Sequence, residues 1–235
     1  SLFNPNDLRL ILPEVVLTLS AFLILGLSAL PDLGRKPYAA FLSILACFST
    51  LTVLLAFVGR LGLETLRVPE LTIGFGGMFI LDAFSVFFKV LFLLAGILTI
   101  LVSTRYLEVE RANAGEYYAL VLFAIVGMMF LASAGEFITI FVSLETMALS
   151  FYILVGFLKA NRKSNEAALK YFLLGSFSTG IFLYGISLIY GTTQTTVLGL
   201  IGISRAKMAL AEAETVAPIF GLGVILVIVG LAYKI

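Results

Sequence analysis

The 235-residue chain has no histidine, no tryptophan and a single cysteine, Cys47. Without histidine there is no His ligand for a haem or another metal, and the usual proton relay near neutral pH is missing. One cysteine inside an apolar run builds neither a disulfide framework nor a thiolate metal site. Charge is scarce too: Asp, Glu, Lys and Arg make up 12% of the residues and sum to +1. No basic surface points to nucleic acid as a partner. If protons move through this chain, Glu, Lys and water carry them.

What is abundant is apolar. Hydrophobic residues make up 61% of the chain and the mean hydropathy is +1.13, against about 45–50% apolar in soluble domains. The chain therefore reads as an all-α transmembrane protein with a lipid bilayer as its surroundings. Seven apolar segments are long enough to cross: about Leu10 to Leu30, Pro37 to Val58, Phe79 to Val102, Tyr117 to Ala134, Phe137 to Lys159, Ala167 to Tyr190 and Thr215 to Ile235. Helices are expected, because a lipid-exposed segment must satisfy its own backbone groups. The first segment lacks the basic flank and small-residue cleavage site of a signal peptide. The last ends at Lys234 and Ile235 without a polar tail, so the sequence reads as the amino-terminal part of a longer chain.

The loops set an orientation. Arg35, Lys36, Arg105, Arg111, Lys159, Arg162 and Lys163 follow the first, third and fifth segments. The other side carries Arg9, Arg60, Arg67, Arg205 and Lys207, with the acids Asp7, Glu14, Glu64, Glu70, Glu136, Glu212 and Glu214. The positive-inside rule puts the amino terminus outside. On that outer side, residues 59–78 hold Gly74, Gly76 and Gly77, which suit a turn over the bundle. Ile203 to Glu214 fits a short amphipathic surface helix. The sixth segment is preceded by Ser164-Asn165-Glu166, a candidate N-cap and acidic first turn. Gly175, Ser176, Ser178, Gly180 and Gly185 in the sixth segment, and Gly221, Gly223 and Gly230 in the seventh, suit close helix packing or a weak point in the helix.

The fifth segment carries one carboxylate, Glu145, near its middle. At 1.5 Å per residue it lies about 13 Å in. An ionisable group there costs at least a few kcal/mol and usually handles protons or ions. The bland alternative is a protonated carboxyl, or one bonded to a nearby Ser or Thr. Once the loop charges are assigned, four further ionisable groups remain: Asp82, Lys89, Lys170 and Lys234. Lys170 lies about one turn inside its segment, four residues after Glu166, and is either functional or a snorkelling lysine with an intrahelical partner. Lys234 either approaches the inner interface or, in a broken helix, sits deeper. Asp82, Ser85 and Lys89 share one helix face. Asp82 lies near the outer interface, and Lys89 pairs either with it or with a neighbouring helix. A buried Glu–Lys pair is stable when close and charged. Separation drives both partners towards neutrality, so moving charge along such groups moves protons.

Three stretches carry a resemblance: SLETMALSFYILVGF around Glu145, NEAALKYFLLGSFSTGIFLYG around Lys170, and VGLAYKI around Lys234. LPEVVL at Leu12 and DAFSVFFK at Asp82 fit as well. Over its whole length the chain resembles the subunit N family of the proton-pumping NADH–quinone oxidoreductases (respiratory complex I), with its chloroplast and cyanobacterial counterparts. The resemblance implies part of a 14-helix antiporter-like fold with inverted repeats. Residues 1–110 would be three amino-terminal helices, and 111–235 helices four to seven of an incomplete first repeat whose seventh helix is broken. It implies a proton path through Glu145, Lys170 and Lys234, with Lys89 and Asp82 secondary. It also implies no cofactor in this chain, and NADH, FMN, iron–sulfur clusters and quinone in partner subunits. The partners would be other membrane subunits of the complex, including further antiporter-like ones. The location would be a bacterial inner membrane, or alternatively a thylakoid membrane.

Three other readings remain. A subunit of a multi-subunit cation/proton antiporter would use nearly the same residues. A seven-helix retinal photoreceptor would use Lys234 as Schiff base and Asp82 as counter-ion, but lacks tryptophan for a chromophore pocket. A purely structural membrane subunit would tolerate loss of Glu145, Lys170 and Lys234.

Overall fold

The computed structural model describes residues 7–29, 38–60, 72–110, 112–210 and 216–234. Arg35, Lys36, Glu64, Arg67, Glu70, Arg111, Glu212 and Glu214 lie outside the described residues, as do the side chains of Arg60, Arg205 and Lys207. A single turn, α1 (Asp7–Leu10), leads into α2 (Leu12–Ser28) and α3 (Tyr38–Arg60). Two short strands, β1 (Thr72–Gly74) and β2 (Phe79–Leu81), precede α4 (Ala83–Val109), α5 (Ala114–Ala132) and α6 (Phe137–Val155). Then come α7 (Arg162–Thr193), α8 (Leu198–Leu210) and α9 (Val216–Ala232). Five of these, α3 to α7, are long and apolar enough to cross a membrane; α2 and α9 are shorter apolar helices.

Some boundaries differ from the sequence expectation, each for a local reason. Phe79, Ile80 and Leu81 form a strand and not the start of a helix, pairing antiparallel with Gly74, Ile73 and Thr72. Helix α4 begins only at Ala83, because Asp82 and Ser85 close a capping box. Ser85 N–H donates to Asp82 Oδ1 at 2.8 Å, and Asp82 N–H donates to Ser85 Oγ at 2.9 Å. Two backbone donors are thereby satisfied at the helix start. Helix α7 starts at Arg162, capped by Asn161, whose Oδ1 accepts from Lys163 N–H at 3.0 Å. Ser164 is therefore not the cap; its hydroxyl donates back to Val155 O at 2.6 Å and closes the α6–α7 turn. Helix α8 starts at Leu198 rather than Ile203.

Helix α5 is the centre of the first half. It packs on α2, α3, α4 and α6, and one apolar core runs through Leu17, Cys47, Leu54, Leu93, Ile100, Leu122 and Met129. Gly127 lets α6 approach: a Cβ there would meet Met147 N at 2.7 Å and Ser143 O at 2.9 Å. A second core joins α6, α7 and α9 through Leu144, Phe182, Ile186, Ile189 and Val227. The small residues of the sixth and seventh segments account for that contact. A Cβ on Gly185 would lie 2.7 Å from Val227 N, and one on Gly230 would lie 2.8 Å from Phe182 Cα. Gly180 and Gly221, by contrast, face no atom within 4 Å.

At one end the connections form a shallow cap. Between β1 and β2 the chain turns through Phe75, Gly76 and Gly77, all with positive φ (52°, 66° and 104°). Two glycines supply most of that left-handed backbone at little cost. Ile80 N–H donates to Ser133 O, Gly135 N–H to Met78 O, and Leu198 N–H to Gly135 O. The cap therefore ties the α3–α4, α5–α6 and α7–α8 links together.

Inside the first bundle lies a charge pair that the loop assignment of Glu14 missed. Glu14 belongs to the first turn of α2, is fully buried, and meets Lys89 Nζ of α4 at 2.6 Å. Helices α2 and α4 both pack on α3 and α5, so the lysine reaches diagonally across four helices. Its ammonium also stands 4.6 Å from the centre of the Phe79 ring, a favourable cation–π position. Removing one member of a buried pair strands the other charge, whereas replacing both by apolar side chains is often neutral. Lys89→Met is expected to destabilise the folded chain by on the order of 3 kcal/mol, and Glu14→Leu with Lys89→Met to recover most of it. Thermal unfolding in detergent measures both; equal losses for the single and double variants would contradict the pair's role. Gly185→Leu and Gly230→Leu are expected to separate α7 from α9 and cut the assembled yield several-fold on native gels.

Candidate functional site

Glu145 is the ninth residue of α6, close to the middle of that helix. Its neighbours on α6 are apolar or use their hydroxyls locally: Ser143 donates to Thr139 O at 2.6 Å, Thr146 to Val142 O at 2.8 Å and Ser150 to Thr146 O at 2.9 Å. None of these hydroxyls serves the carboxylate. Its partners come from the two helices packed beside it.

The first is Lys234. Helix α9 ends at Ala232, and Lys234 follows in a tightened turn, with its N–H donating to Leu231 O at 2.8 Å. The Ser178 hydroxyl donates to Gly230 O at 2.7 Å. This ties α9 to α7, and Lys234 Nζ lies 2.7 Å from Glu145 Oε1. Lys234 is 10% exposed and Glu145 25%. The pair is thus shielded on most sides yet open enough to be reached.

The second partner is Thr179, which follows Ser178 on α7. Its hydroxyl lies 2.7 Å from the same Oε1 and 3.0 Å from Gly175 O. Tyr152 of α6 reaches the same stretch of α7. Its hydroxyl occupies the space that a side chain on Gly175 would need.

The other sequence candidates lie elsewhere. Because α7 starts at Arg162, Lys170 sits about 12 Å along it, two turns in rather than one. Lys170 Nζ meets Glu166 Oε1 at 2.6 Å, with the two side chains 69% and 59% exposed. It is not joined to Glu145. Around it Leu169, Phe172, Leu173, Leu174 and Phe177 are also exposed. Asp82 caps α4 and makes no contact with Lys234, so it is not the counter-ion the photoreceptor reading needs. Lys89 pairs with Glu14. Glu136, assigned to the outer loop, is 5% exposed and accepts from Thr139 at 3.2 Å and Thr196 at 2.8 Å. Sequence reasoning named Ser178 only as a small packing residue, foresaw a hydroxyl on Glu145 without singling out Thr179, and placed Glu14 among the loop acids although it lies inside the first apolar segment.

Comparison with known proteins bears on this site. Residues 134–235, which hold Glu145, Lys170, Thr179 and Lys234, match the family model described as NADH:quinone oxidoreductase/Mrp antiporter, TM. The chain is 44% identical over 226 residues to NADH-quinone oxidoreductase subunit N 2 of Rhizobium meliloti (strain 1021), covering 95% of this chain and 43% of that protein. It is 44% identical over 237 residues to subunit N 1 of Koribacter versatilis (strain Ellin345), covering 100% and 46%. Among solved structures it resembles a chain of respiratory complex I from Thermus thermophilus with bound aureothin, with a TM-score of 0.69 and 29% identity over 95% of this chain and 44% of that one. A chain of the archaeal membrane-bound sulfane sulfur reductase shares the fold, with a TM-score of 0.71 and 21% identity over 96% and 44%. The chain thus spans less than half the length of these relatives. It is a multi-pass membrane chain, similar over nearly its whole length to part of subunit N of these NADH-quinone oxidoreductases and, over residues 134–235, to the antiporter-like family.

Proposed function

We propose that this chain is part of a proton-translocating membrane subunit of an NADH–quinone oxidoreductase, and that Glu145, Lys234 and Lys170 are its proton-handling groups. The observation that carries the reading is the 2.7 Å pair of Glu145 and Lys234 between apolar helices. Closed, the pair keeps both charges; opened, each partner is left in a poorly solvated place and tends to neutrality, so that Glu gains a proton and Lys gives one up. Whatever drives the pair apart therefore moves a proton. Lys170, on the neighbouring helix α7, serves as the onward group. Lys89 and Asp82 stay outside this path, the first held by Glu14 and the second by its cap.

The drive comes from partner subunits carrying NADH, FMN, iron–sulfur and quinone chemistry. The exposed apolar face of α7 supports such neighbours. An ion pair set beside Leu169, Phe172 and Leu173 is costly against hydrocarbon and is covered by protein in the assembly. Those neighbours are other membrane subunits, further antiporter-like ones among them. We place the protein in a bacterial inner membrane with its amino terminus outside, and keep a division at residue 110 between the three leading helices and the antiporter-like repeat. A cation/proton antiporter subunit is the second reading, favoured by the antiporter part of the family model's description.

Glu145→Gln and Lys234→Met in the intact assembly are expected to lower redox-driven proton translocation several-fold while the complex still assembles on native gels. Unchanged translocation in both would leave only a structural role. An assembly without NADH–quinone activity that exchanges cations for protons would favour the antiporter. For orientation, Ala160→Cys in a Cys47→Ser background is expected to react with an impermeant maleimide only from the cytoplasmic side; labelling from outside would reverse the topology.

A further inference from the structure

We propose that Thr179 is a positioning residue for Glu145, acting through a single hydroxyl proton that has two alternative acceptors. This inference rests on the reading of Glu145 and Lys234 as a proton-handling pair. Most hydroxyls in these helices do one ordinary thing: they donate to the carbonyl three or four residues back, as Ser43 does to Ala39 O and Thr50 to Ala46 O. Thr179 has that option too, with Gly175 O at 3.0 Å, but it also has Glu145 Oε1 at 2.7 Å. A threonine hydroxyl carries one proton and two lone pairs. It can donate to only one of the two acceptors fully at a time.

The charge on Glu145 decides which. While Glu145 is a carboxylate, the bond to it is charge-assisted and stronger. Oε1 then holds both Lys234 and Thr179, and the carboxylate stays aimed at the lysine. When Glu145 takes up a proton and Lys234 withdraws, the acceptor weakens. The Thr179 hydroxyl turns its proton to Gly175 O, and its freed lone pair accepts from the new carboxyl O–H. The proton on Glu145 comes from the path and returns to it. Thr179 gains and loses none. It thus satisfies Glu145 in both states, where an apolar residue would leave a buried carboxyl without a partner.

The surroundings suit this role. Thr179 is buried, so bulk water does not compete freely for its proton. Gly175, whose carbonyl is the second acceptor, leaves room for the Tyr152 hydroxyl beside it. The other titratable groups nearby are Lys234 and Tyr233 at the end of α9, Tyr152 on α6 and Tyr171 on α7. Lys170 and Glu166 are engaged with each other.

The test compares Thr179→Val, Thr179→Ala and Thr179→Ser with Glu145→Gln in the intact, membrane-embedded complex. Proton translocation is followed together with infrared difference bands that Glu145→Gln removes. Val and Ala are expected to lower translocation about tenfold, equivalent to ~1.4 kcal/mol, and to shift the Glu145 carboxyl band. Serine, which keeps the hydroxyl but loses the methyl, is expected to restore both. If Val fails to assemble, Ala alone against Ser decides. An unshifted band in Val or Ala, or a serine that behaves like alanine, overturns the role of Thr179 while a defect in Glu145→Gln keeps the pair. Full translocation in Glu145→Gln overturns the pair, and the role of Thr179 with it.

Discussion

A carboxylate in the middle of an apolar helix must have a partner, and the second half of this molecule is arranged so that Glu145 gets one. Membrane hydrocarbon offers no water to share the charge, and an unpaired carboxylate there is costly by several kcal/mol. The answer is a lysine from another helix at 2.7 Å. Reaching it needs α9 to lie hard against α7. Gly185, Gly223 and Gly230 permit that close approach, and the Ser178 hydroxyl donates to the Gly230 carbonyl across it. Packing and charge placement are here one problem with one solution.

The first half solves the same problem to a different end. Glu14 and Lys89 are both fully buried and meet at 2.6 Å, with the Phe79 ring against the ammonium. No hydroxyl of a described residue donates to that carboxylate, and neither side chain is open to solvent. A pair so enclosed fixes helices; a pair one-quarter exposed on its acid side, with an adjustable hydroxyl beside it, is suited to open and close. The contrast is in access, not in residue type.

Much of this was legible in the sequence. Seven apolar segments gave five helices long enough to span and two shorter ones, and the lone carboxylate of the fifth segment is the one found paired with Lys234. The small residues of the last two segments pointed to close packing, which the contacts of Gly185 and Gly230 bear out. Other features were hidden for physical reasons. Phe79-Ile80-Leu81 is apolar and runs into the next segment, so nothing local separates strand from helix until the Asp82 cap is seen. Asn161 and Ser164 are both good caps, and only the turn geometry chooses between them. Glu14 looked like an interfacial acid because its partner lies 75 residues away on a helix that is not its sequence neighbour. Thr179 is one hydroxyl among many, and its role depends on a carboxylate 34 residues back.

The claim on which the account turns is that the Glu145–Lys234 pair opens and closes during turnover. The most direct measurement is a high-resolution structure of the complete assembly frozen while turning over NADH and quinone, with the particles sorted by the state of this pair. The account predicts two populations, one with Lys234 Nζ against Glu145 as at the 2.7 Å found here, the other with the lysine withdrawn and Thr179 turned to Gly175. A pair that stays closed in every population under turnover, as at rest, would contradict it.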